Sequence, residues 1–311
     1  MRQLDAKLAE WLEGVNAQVV QLKAAGFEPT PISARESLAN LTRSFVEPGA
    51  EMAVCETLVS GNHYAVPVRI YTPKSSEPGP AIIYCHGGGH MAGSVTVYDP
   101  ICRRVAEHCR RTVVSVDYRL APENPYPAGL QDLLAVVGNL GAALDKKTVA
   151  HSDRWILMGD SGGAALCAAA SRLLQHGRHS IAAQVLIYPS LDYTMQLPSI
   201  DENGSGYLLE KEKIGWYFDN YFRGAENRRE ASALHGEYTA NLPQTLIVTA
   251  EFCPLRDEGI AYLEKLRQVG ISAESLHFDD MIHAFLNLES LVPEACEKLY
   301  RHLAEFVSAV K

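Results

Sequence analysis

No stretch of this 311-residue chain approaches the roughly 20 apolar residues that span a membrane. Its first residues, MRQLDAKLAEWLEG, are interrupted by acids and contain no apolar leader core, so no signal peptide is expected. Positive charge is in deficit: 28 Lys and Arg stand against 37 Asp and Glu, a formal net charge of −9. That balance argues against nucleic acid or an anionic membrane surface as a main partner. The seven cysteines (55, 85, 102, 109, 167, 253 and 296) include no CxxC. They are odd in number, scattered, and mostly inside apolar runs, a usage that points to a reduced, cytoplasmic protein. The eleven histidines form no HExxH, and no metal-ligand spacing is present, so no metal is expected. A GxGxxG spacing and a Walker lysine are also missing, which disfavours nucleotide binding. There are no internal repeats and no low-complexity segments.

What is present is enough to build a large core: 47% of residues are hydrophobic and 21% charged. The length suits one α/β domain as well as two. Residues 3–25 place Leu4, Leu8, Trp11, Leu12, Val15, Val19 and Leu22 at helical spacing up to Gly26. PTPISARESLANL suggests a second short helix. AVCETLVS and HYAVPVRIYTP alternate around Gly61-Asn62 and read as a hairpin. From residue 81, short apolar runs (AIIYC, TVVSVDY, WILMG, AAQVLIYP, TLIVTAEF and the weaker ESLHF) alternate with helical stretches. The helices are expected near 97–109, 127–144, 162–176, 255–269 and 293–310. This alternation predicts buried parallel strands joined by crossover helices. Residues 191–235 break it with an amphipathic GYLLEKEKIGWYFDNYF, read as an insertion. Together with 1–45 it would form a helical cap over the strand ends, leaving 46–190 and 236–311 as the catalytic domain. Ligands of open α/β sheets bind at those ends.

Three motifs carry chemistry. WILMGDSGGAALCAAASRLL is a strand, then Gly159-Asp160-Ser161-Gly162-Gly163, then a small-residue helix. This is G-x-S-x-G in the strand–turn–helix context that exposes a nucleophilic serine. AIIYCHGGGHMAGS places His86-Gly87-Gly88-Gly89 after an early strand. Backbone N–H groups of Gly87 and Gly88, with that of Gly162, would form an oxyanion hole. His86 reads as a loop-structuring residue rather than a base. DDMIHAF puts His283 after the last strand, in the chain order an α/β-hydrolase general base requires.

On HGGG, DYRLAPENPYPAGLQD (117–132), GDSGG, PLRDEG and IHAF, the chain resembles the hormone-sensitive-lipase family of α/β-hydrolases over residues 81–311. The resemblance implies a mostly parallel central sheet with helices on both faces and a helical cap. It also implies hydrolysis of short-to-medium acyl esters through an acyl-serine intermediate, without a cofactor. Asp117, Arg119 and Glu123 would brace the loop beside the oxyanion segment. Three positions depart from the family. Gly162 replaces an alanine whose N–H alone matters, and Asp280 replaces a glycine three residues before the histidine. At 253 the family's triad aspartate, the first residue of D-P-L-x-D-E, is a cysteine.

A neutral thiol accepts hydrogen bonds weakly, and the triad acid must fix the imidazole tautomer and stabilise the imidazolium. A helix starting at Pro254 would make Cys253 its N-cap and place Asp257 one turn on, leaning back toward the vacated space. Glu251 shares a strand face with 253 but starts roughly 6.6 Å further back, two residues at about 3.3 Å each. A site with no carboxylate is the third option. The expected function is a serine carboxylesterase acting on a small-molecule ester; the alternative is a catalytically impaired small-molecule-binding protein on the same fold. Tyr193, Tyr207, Trp216, Tyr217 and Phe218 would line the substrate pocket or form the cap's own core. A homodimer is left open.

Overall fold

The computed structural model describes residues 2–61, 64–177 and 180–310. Eight strands form one sheet: β1 (Ala53–Val59), β2 (Val66–Thr72), β3 (Ala81–Cys85), β4 (Val113–Val116), β5 (Arg154–Asp160), β6 (Ser180–Ile187), β7 (Gln244–Phe252) and β8 (Ala273–Ile282). Their order is β1-β2-β4-β3-β5-β6-β7-β8. β1 pairs antiparallel with β2, and β2 with β4, whereas β3 to β8 run parallel. The expected hairpin is therefore present, although Asn62 of its Gly-Asn turn lies outside the described residues.

The parallel strands are apolar on both faces because helices cover both. In β3, Ile82 and Tyr84 enter one core while Ala81, Ile83 and Cys85 enter the other. The first face is covered by α3 (Asp99–Cys109) and α10 (Pro293–Ala309), through residues such as Ile101, Val105, Leu299 and Leu303. The second is covered by α4 (Ala128–Lys146), α5 (Gly162–Leu174) and α9 (Arg256–Gln268), through Leu133, Leu140, Leu166 and Tyr262. Ahead of the sheet come α1 (Ala6–Ala24) and α2 (Pro31–Phe45). The side chain of Asp5 caps α1, and a reciprocal Thr30–Ser33 capping box with Pro31 in the first turn starts α2. The insertion after β6 holds α6 (Ser199–Glu202), α7 (Lys211–Tyr221) and α8 (Arg228–Ala231). No helix among the described residues is long and apolar enough to cross a membrane.

A buried acid on α9 holds the start of the insertion. Glu258, in the first turn of α9, accepts hydrogen bonds from the N–H groups of Leu191 and Asp192, the latter at 2.8 Å. Burial pushes its carboxyl well above the usual range. Glu258→Ala leaves two buried donors unpaired and is expected to cost about 2–4 kcal/mol in urea unfolding. Glu258→Gln, whose amide oxygen can accept the same bonds, is expected to recover most of that; an alanine variant as stable as wild type would refute the role.

Candidate active site

Ser161, Cys253 and His283 each follow the carboxyl end of a parallel strand: β5, β7 and β8 respectively. Ser161 sits at φ +52° and ψ −120°, the strained conformation of a sharp strand-to-helix turn. The turn is possible only with bare neighbours. A Cβ at Gly163 would lie 2.0 Å from the Cys85 carbonyl oxygen, and one at Gly159 would lie 2.7 Å from it. The Ser161 N–H donates to the Ile187 carbonyl at 2.9 Å, and the Ser190 N–H donates to the Ser161 carbonyl at 3.3 Å. These bonds tie the turn to the next strand.

His283 Nε2 lies 2.9 Å from Ser161 Oγ. Its other ring nitrogen, Nδ1, lies 3.1 Å from Cys253 Sγ. The ring is buried, with Tyr188 edge-on at 4.8 Å between centroids. The sulfur also accepts the Leu255 N–H at 3.3 Å. Burial pushes the Cys253 thiol well above its usual pKa, so it stays neutral. Burial, aided by the charge of Lys213, lowers the His283 pKa to about 3. For Nε2 to accept the serine proton, the ring's own proton must sit on Nδ1 and point at the sulfur.

The carboxylates expected to replace the acid are engaged elsewhere. The helix begins at Arg256, with Leu255 as its N-cap residue, rather than at Pro254. Cys253 is therefore not a cap, and the one-turn relation to Asp257 does not exist. Asp257 accepts from the Ser199 N–H at 2.9 Å and from Arg256 Nε at 2.8 Å. Glu251 is bound by Arg2 at 2.6 Å, Arg256 at 3.1 Å and His277 at 3.2 Å. Among the described residues no carboxylate is hydrogen-bonded to His283, which leaves the thiol as the group facing Nδ1.

The glycine loop also differs from expectation by one residue. Gly87 N–H donates to Asp160 Oδ1 at 2.8 Å and is not free for a ligand. The N–H groups of Gly88 and Gly89 have no acceptor among the described residues, and both glycines line the cavity above Ser161. Gly89 N lies 3.2 Å from the point a Gly162 Cβ would occupy, so the two amides are close neighbours. Gly162 opens α5, where first-turn N–H groups lack helical acceptors. The candidate donors left beside Ser161 are thus the N–H groups of Gly88, Gly89 and Gly162.

Asp160, the variable residue of G-x-S-x-G, was not singled out by sequence reasoning. Its carboxylate also accepts from Tyr84 at 3.1 Å and Tyr98 at 3.0 Å, and burial raises its pKa to about 6. It fixes the loop by its first glycine. The available signal was an acid at the end of an otherwise apolar strand. His86 is buried between the Tyr98 and Tyr118 rings, with Nδ1 2.8 Å from the Gly87 carbonyl, a structural placement. From α2, Arg35 reaches the Met91 and Ala121 carbonyls and pairs with Glu123 at 2.6 Å, while Arg119 pairs with Asp132 at 2.8 Å. The cavity over Ser161 measures about 480 Å³ and is walled by α1, α2 and α7 through residues such as Trp11, Leu38, Ile214 and Tyr217. Of the five aromatics that would line the pocket or form the cap's own core, Tyr217 and Phe218 line the cavity, whereas Tyr193, Tyr207 and Trp216 do not.

A family model described as alpha/beta hydrolase fold matches residues 82–287. The chain belongs to the α/β-hydrolase family. Its relatives place it in the hormone-sensitive-lipase branch that its motifs resemble. It is 34% identical over 255 residues to a carboxylesterase of Mycobacterium tuberculosis, covering 79% of each chain. It is 32% identical over 250 residues to an ethyl acetate hydrolase of Pseudomonas putida, covering 78% of each. The fold superposes on a hyperthermophilic esterase of the archaeon Pyrobaculum calidifontis with a TM-score of 0.86, at 29% identity over 99% of this chain and 100% of the other.

Because His283 is held neutral, its ring is expected to remain uncharged at about pH 5, below the ordinary histidine pKa of about 6.5. Imidazole ¹⁵N shifts read this directly, and a ring already protonated at that pH would contradict the geometry. Removing the opposing charge with Lys213→Met is expected to move the titration upward.

Proposed function

We propose that this chain is a serine carboxylesterase that hydrolyses short-to-medium acyl esters through an acyl-serine intermediate. The observation that carries the reading is the 2.9 Å contact between His283 Nε2 and Ser161 Oγ on a strained strand-to-helix turn. Ser161 Oγ attacks the ester carbonyl carbon while its proton passes to His283 Nε2. The carbonyl oxygen, now an anion, is received by the N–H groups of Gly88, Gly89 and Gly162. As the tetrahedral species collapses, the carbon–alkoxy bond breaks and the alcohol leaves with the proton from Nε2. Water, deprotonated by the same nitrogen, then cleaves the acyl-serine to carboxylic acid and free serine. The relatives named for ester and ethyl acetate hydrolysis support the substrate class. The helices of residues 1–45 and 191–235 act in this reading as the cap that shapes the acyl pocket.

Cys253 takes the third position of the triad as a neutral anchor. Its sulfur accepts a hydrogen bond from Nδ1–H and so favours the productive tautomer, but it brings no negative charge to the imidazolium that forms. That deficit favours a second reading, a weakly active binding protein on the same scaffold.

An organophosphate that labels Ser161, together with turnover of short-chain p-nitrophenyl esters lost in Ser161→Ala, supports the esterase. An unreactive Ser161 and no serine-dependent turnover would favour the binding protein. Cys253→Ala is expected to lower kcat about tenfold with little change in KM, the loss of an orienting contact worth about 1.4 kcal/mol. An unchanged kcat would remove Cys253 from the mechanism.

A further inference from the structure

Lys213 is a cation without a matching anion in the wall of the substrate cavity. The other charges of its helix are satisfied: Lys211 bonds Asp201, Glu212 is held by Lys23 at 3.0 Å, and Asp219 by Arg228 at 2.6 Å. Lys213 is half-buried and has no carboxylate partner among the described residues; its Nζ lies 5.9 Å from the centroid of the Tyr217 ring. Lys213 and Asp160 are the only acidic or basic side chains, histidines aside, among the residues that line the cavity. Both Asp160 oxygens are already occupied, by Tyr84, Tyr98 and the Gly87 N–H. The rest of the wall combines apolar side chains, such as Leu38, Leu41, Leu208 and Leu209, with uncharged polar ones such as Gln18 and Asn40. A half-desolvated ammonium in such a wall gains most when an anion reaches it.

We infer that Lys213 selects esters that carry a negatively charged group beside the scissile bond, such as monoesters of dicarboxylic acids. The inference rests on the esterase reading and names the substrate class of that same site. Hydrolysis is unchanged in form: water and the monoester anion give a dicarboxylate, an alcohol and a proton. The charge matters twice. A substrate carboxylate at Lys213 supplies binding energy, and it also offsets the lysine's opposition to a charged His283, whose thiol partner contributes no counter-charge. The advantage should therefore appear in kcat as well as in KM.

Two matched pairs test this at low salt and neutral pH, read by acid release. Monomethyl adipate against methyl hexanoate places the charge on the acyl side; acetoxyacetate against ethyl acetate places it on the alcohol side. In at least one pair, the ratio of kcat/KM for the charged over the neutral ester is expected to fall about tenfold in Lys213→Met, equivalent to about 1.4 kcal/mol. It should be largely retained in Lys213→Arg and should shrink with added salt. Ratios in both pairs that are the same in wild type and Lys213→Met would overturn the inference, leaving Lys213 a side chain that extends to solvent. Failure of wild type to turn over any of the four esters would overturn the esterase reading instead. In that case calorimetry on Ser161→Ala with monomethyl adipate decides: binding weakened about tenfold by adding Lys213→Met supports the anion site, and binding unaffected by it overturns the site.

Discussion

The imidazole of His283 is suspended between two partners of unequal kind, a hydroxyl at 2.9 Å and a buried thiol at 3.1 Å. An aspartate in the thiol's place would orient the ring and also neutralise its positive charge. A neutral thiol can only orient it. Burial enforces this restriction, because the same desolvation that keeps the histidine uncharged keeps the thiol protonated. Among the described residues, no carboxylate stands at Nδ1 to balance a charge on the ring.

Much of the surrounding structure serves to hold position 253 still. Asn203 donates to the Cys253 and Glu251 carbonyls at 3.1 and 3.0 Å, and Ser199 Oγ donates to the Pro254 carbonyl at 2.7 Å. Asp257 and Glu251, with Arg256, Arg2 and Glu202, form an ion-pair web around the same segment. Carboxylates that could have served the histidine instead rigidify the loop that presents the sulfur. On the opposite side, Asp160 fixes the glycine loop while leaving the Gly88 and Gly89 amides free. Rigid positioning of this kind fits a site in which fixed dipoles carry most of the electrostatic work.

The sheet was legible because buried parallel strands leave unbroken apolar runs, and all six runs after residue 80 became strands. The contact between Ser161 and His283 was legible because a strained turn demands small neighbours and because chain order limits where a partner histidine can lie. What failed depended on single-residue registers set from a distance. The Asp257 option supposed a helix starting at Pro254, but a turn delays the start to Arg256, and the option went with that start. The oxyanion donors were expected at Gly87 and Gly88; a carboxylate 73 residues away consumes the first amide and leaves those of Gly88 and Gly89 as the loop's unbonded pair among the described residues. Neither partner has a local signature. The insertion after β6 was legible as an amphipathic interruption, whereas the side of each aromatic was not: two of the five, Tyr217 and Phe218, line the cavity.

A neutral thiol at 253 can orient His283 but cannot compensate its charge. The most direct measurement is kcat for Cys253→Asp on a neutral short-chain ester at neutral pH. The account predicts a rise of at least about tenfold, since loss of this acid in a serine protease costs about four orders of magnitude. A turnover equal to or below that of wild type would contradict it.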